Sequence, residues 1–183
     1  MRLILHLFGL FARGTALMLC FVGAVAGLAC LGGVFSDRLD AFGYYFTETE
    51  VKSGNLKLTS LNIGQASDFA DWEAGKRMTT YAPIFLAFDD VTSPTAVNEL
   101  GQTYHTVSIR VMPTAYRVDG QAVSFHGADR NLGQVTFAGV FDLEALKTVK
   151  TTGPGETQPV LKGDLQVGDQ QFRNISFMVF GGD

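Results

Sequence analysis

Cysteine is almost missing from this chain, and the two that occur, Cys20 and Cys30, both fall in an apolar stretch before residue 36. The 148 residues that follow therefore offer no disulfide, no cysteine nucleophile and no thiolate metal ligand, a composition that suits an oxidising compartment. Acid is missing from the start: all 18 Asp and Glu lie after Phe35, whereas Arg2 and Arg13 precede it. Residues 36–183 carry 12 basic against 18 acidic side chains, a formal charge of −6, which argues against nucleic acid as a partner because phosphate binding needs clustered Lys and Arg. Catalytic strings are missing too. No G-x-S-x-G elbow occurs, and the glycine-rich pieces "GVFDLE" and "TTGPGE" lack the Gly-Lys-Ser/Thr ending of a phosphate loop.

What the sequence does have is an uncharged run, "GTALMLCFVGAVAGLACLGGVF", from Gly14 to Phe35. As a helix its 22 residues would span roughly 33 Å at about 1.5 Å each, the thickness of a bilayer's hydrocarbon core. Arg2 and Arg13 before it and Asp37, Arg38 and Asp40 after it place the N-terminus in the cytoplasm by the positive-inside rule. Two other fates compete: cleavage after Ala24-Val25-Ala26, and lipidation at Cys30. Cleavage would leave "GLACLGGVF" on the mature terminus, and the lipobox reading has Gly27 where an aliphatic residue belongs. A retained single-pass signal anchor over residues 1–35 is the expectation, in a bacterial inner membrane. Gly23 with Gly27, and Ala29 with Gly33, are small-xxx-small pairs at which a second helix could approach.

From residue 36 to 183 the pattern turns to short alternating segments separated by turn residues, which predicts a periplasmic antiparallel β domain, a sandwich or a partly closed barrel with one or two short helices. "YYFTETEV" and "NLKLTSLNI" predict a hairpin across Ser53-Gly54, and Asp119-Gly120 and Gly168-Asp169 predict two more. "SDFADWEAGKR" predicts a helix capped by Ser67, and "LEALKTVK" one capped by Asp142 and followed by the loop "TTGPGETQ". Ile84 to Phe88 is apolar on both alternating faces and is the best core strand. In "TYHTVSIRVMP", Val107, Ile109 and Val111 should share a buried face. The closing hairpin and the strand count are loosely similar to small periplasmic barrels of the YceI-like lipid-binding family. That resemblance covers a pattern of strands and carries no residues over.

His105, His126 and Asp129 could make a three-ligand metal site, but the histidines are 21 residues apart with no short ligand spacing, so core or loop roles are expected. Asp68, Asp71 and Glu73 around Trp72, and Asp89-Asp90, read as solvated acids at a helix start and a strand end, with Trp72 in the core. Asn174-Ile175-Ser176 matches a glycosylation sequon inside a predicted strand. "FGYYF" stands just past the membrane exit, so Tyr44 and Tyr45 are candidates for the headgroup belt and Phe42 and Phe46 for lipid or a partner; the competing expectation is that they start a strand and pack inward. Taken together the sequence predicts a non-enzymatic accessory, assembly or scaffold subunit of an envelope membrane complex. Its partners would be the bilayer and a membrane protein or a second copy of itself, and no cofactor is expected. A module binding a lipid or small apolar ligand is the alternative, and a metal-dependent or hydrolytic enzyme comes third.

Overall fold

A computed structural model describes residues 32–152 and 158–180. In chain order these form β1 (Gly33–Phe35), β2 (Gly43–Phe46), β3 (Lys52–Ser53), β4 (Leu56–Ile63), α1 (Ala66–Glu73), β5 (Ile84–Asp90), β6 (Thr95–Val97), β7 (Thr103–His105) and β8 (Ser108–Val111). There follow β9 (Pro113–Asp119), β10 (Ala122–Asp129), β11 (Gly133–Phe141), α2 (Leu143–Thr152), β12 (Leu161–Val167) and β13 (Gln170–Phe180). Ten strands join in one curled sheet, a half-barrel, in the order β1-β9-β10-β11-β12-β13-β2-β4-β5-β8, with β3 paired to β4. All pairs in it are antiparallel except β1 with β9. β6 and β7 form a separate two-stranded ribbon.

Two corners produce the curl. β8 and β9 are consecutive in the chain yet stand at or near opposite ends of the sheet, because the chain bends between them at Met112. The bend brings Met112 against β10, where a Cβ on Gly127 would meet the Met112 carbonyl oxygen at 2.5 Å, so glycine is required there. The second corner is β13, which pairs with β12 as far as Phe177 and with β2 from Met178 onward. It kinks at Asn174, which takes a left-handed φ of 54° and donates its backbone N–H to Asp164 Oδ1 at 2.7 Å.

The concave side is filled by alternate side chains of every long strand, among them Tyr45, Phe88, Phe125, Phe137 and Phe177, each 1% exposed or less. α1 closes the seam between β1 and the rest: its Phe69 stacks on Phe35 with centroids 4.0 Å apart, and Trp72 is buried beside it, as expected from sequence. α1 is capped at Gln65, two residues before the expected Ser67, because the Asp68 carboxylate turns back to accept the Gln65 N–H at 2.8 Å. α2 begins as expected, with Asp142 Oδ1 accepting the Ala145 N–H at 3.0 Å. All three anticipated hairpins form, with Gly54, Gly120 and Gly168 at φ near +57°.

Several expectations need correction. The last three residues of the apolar run are β1, so residues 33–35 belong to the β domain that was expected to begin at residue 36. Gly33 is therefore not on a membrane helix: it lies against Tyr116 and Glu73, and a Cβ there would come within 2.4 Å of both side chains. Gly23, Gly27 and Ala29, the cleavage and lipidation sites, and much of the loop "TTGPGETQ" lie outside the described residues. Among the described residues no helix is long and apolar enough to cross a membrane. "TYHTVSIRVMP" is not one strand but parts of β7, β8 and β9, and only Val111 of its apolar trio is fully buried, with Ile109 half-buried and Val107 exposed. Between a sandwich and a partly closed barrel, the single curled sheet is of the second kind.

Candidate functional site

The convex side of β13, β2, β4 and β5 is where the aromatic candidates of the sequence are sorted. Strand alternation sends Tyr45 inward, fully buried, with its hydroxyl donating to the Ala41 carbonyl at 2.6 Å. Tyr45 is thus a core residue and not a membrane-interface residue. Phe42 is half-buried, with Lys150 Nζ of α2 5.4 Å from its ring centre and bonded to its carbonyl, so it is tied to the fold and not presented outward. Tyr44 and Phe46 do point outward, 52% and 37% exposed.

The register brings two residues missed from sequence beside them: Phe180 stands opposite Tyr44, and Met178 opposite Phe46. Phe180 is 47% exposed and Met178 half-buried, so Tyr44, Phe46, Met178 and Phe180 form one outward apolar cluster across two strands that are far apart in sequence. The signal was present in "FMVF", where both alternating faces are apolar, but only the pairing with β2 shows which residues face out.

The same row continues onto β4 and β5. Tyr44 pairs with Asn62, which is 6% exposed and donates from Nδ2 to Ser60 Oγ at 2.9 Å, and Asn62 pairs with Phe85. Phe85 is covered by Tyr81, edge-on at 5.8 Å, and by Arg110, whose Cζ lies 5.3 Å above the ring and whose Nη1 donates to the Thr80 carbonyl at 2.8 Å. Tyr81 Oη donates to Asp68 Oδ2 at 3.1 Å; burial, and then that bond, push its pKa up to about 12. The aromatic cluster is thus framed on one side by ordered polar groups, as at the margin of an interface.

The other candidates are not brought together. His126 is exposed on β10, His105 half-buried on β7, and Asp129 caps its own turn by accepting the Asn131 N–H at 2.7 Å. Among the described residues no group of three His, Cys, Asp or Glu is placed to hold a metal ion. Asp68, Asp71 and Glu73 serve α1, Tyr81, Lys76 and Tyr116. Asp90 accepts from the Thr92 N–H and hydroxyl. Open grooves of about 250–580 Å³ lie on the surface; one, of about 280 Å³, is lined by Phe35, Leu39, Phe42 and Ala66 with Asp37 and Asp40. Comparison with protein-family models, curated proteins and solved structures finds no match.

Proposed function

We propose that the protein is a membrane-anchored, periplasmic accessory or scaffold subunit of a cell-envelope membrane complex, non-enzymatic, that docks through the convex aromatic cluster. The observation carrying this reading is the outward set Tyr44, Phe46 and Phe180, a contiguous aromatic surface on a rigid two-strand platform. Tyr44 and Phe46 follow shortly after the apolar run, so an anchored chain would hold the cluster near the bilayer, where amphipathic aromatics are at home. The alternative of an apolar-ligand module is less well supported, because the concave side is occupied by the domain's own phenylalanines and a ligand would have to use a surface groove.

The test is detergent extraction of the full chain from its own membranes, followed by native mass spectrometry of the wild type and a Tyr44→Ser/Phe46→Ser/Phe180→Ser variant. The reading expects a stoichiometric membrane-protein partner with the wild type and loss of that partner with the variant, while both chains stay in the membrane with Met1 present. A mature chain starting at Gly27 or Cys30 would overturn the anchor, and a partner retained by the triple variant would overturn the docking face.

A further inference from the structure

We draw no further inference here: the strongest candidate, the projecting β6–β7 ribbon with Val97, Leu100 and Tyr104 turned to solvent, is an unpartnered apolar surface, and nothing in the structure shows what covers it.

Discussion

Tyr44 and Tyr45 are adjacent and of one type, yet one faces solvent and the other is sealed in the core, so they measure the strand's register directly. Tyr45 packs on the concave side against Phe141 at the end of β11, 5.8 Å away, and its hydroxyl is satisfied by Ala41. Tyr45→Ala should therefore cost about 3–5 kcal/mol, the range for emptying a buried aromatic site. Tyr44→Ala should stay within about 0.5 kcal/mol, as expected of an exposed position. Urea unfolding in detergent reads both; a larger loss for Tyr44→Ala than for Tyr45→Ala would mean the register is wrong by one residue. From sequence "FGYYF" could not separate these two, because a period-2 pattern needs polar residues on one side to mark the wet face, and here both sides are aromatic. Where the wet face is marked, as in β12 with Lys162, Asp164 and Gln166 against Leu161, Leu165 and Val167, the burial pattern follows the letters.

At the scale of elements, the helices and tight hairpins were legible because their signals are local: Asp142 before α2, Gly120 and Gly168 in two-residue loops. The ribbon of β6 and β7 was not, since its strands are only three residues each and the expected strand runs straight through its base. That base makes a pH prediction. Asp89 sits above the ordinary value of 3.8 because burial disfavours its charge, His105 opposing, whereas Asp90 sits below it, held there by the Thr92 hydroxyl and N–H. The two have opposite linkage signs. Protonating Asp89 as pH falls relieves a cost of burial, so its share of stability is lost as pH rises; Asp90's share is present above 3.8 and is lost as pH falls through its depressed value. Carboxyl-detected NMR should find Asp89 titrating before Asp90 on acidification. Thr92→Val should raise Asp90 toward 3.8 and leave Asp89 in place; two carboxyls titrating together in the wild type would refute the assignment.

For the whole molecule, the half-barrel exists only because distant segments meet. Met178 to Phe180 pair with Tyr44 to Phe46, and Gly33 to Phe35 with Tyr116 to Val118. Nothing in an alternating sequence names such partners, which is why the strands were readable and the sheet order was not. The same remoteness shapes folding: local hairpins β9 to β11 and β12 with β13 can form early, while the β13 to β2 seam must close the longest loop and is disfavoured until the rest is in place. Val179 stands opposite Tyr45 in that seam and is 7% exposed. Val179→Pro removes a strand N–H as well as a buried side chain, and should cost about 3 kcal/mol. If the seam closes after the rate-limiting step, nearly all of that loss belongs to unfolding: stopped-flow fluorescence of Trp72, the lone tryptophan, should show faster unfolding and an almost unchanged folding rate. A folding rate that falls in proportion to the lost stability would instead put the seam in the nucleus, and the ends of the chain, not its hairpins, would then organise the fold.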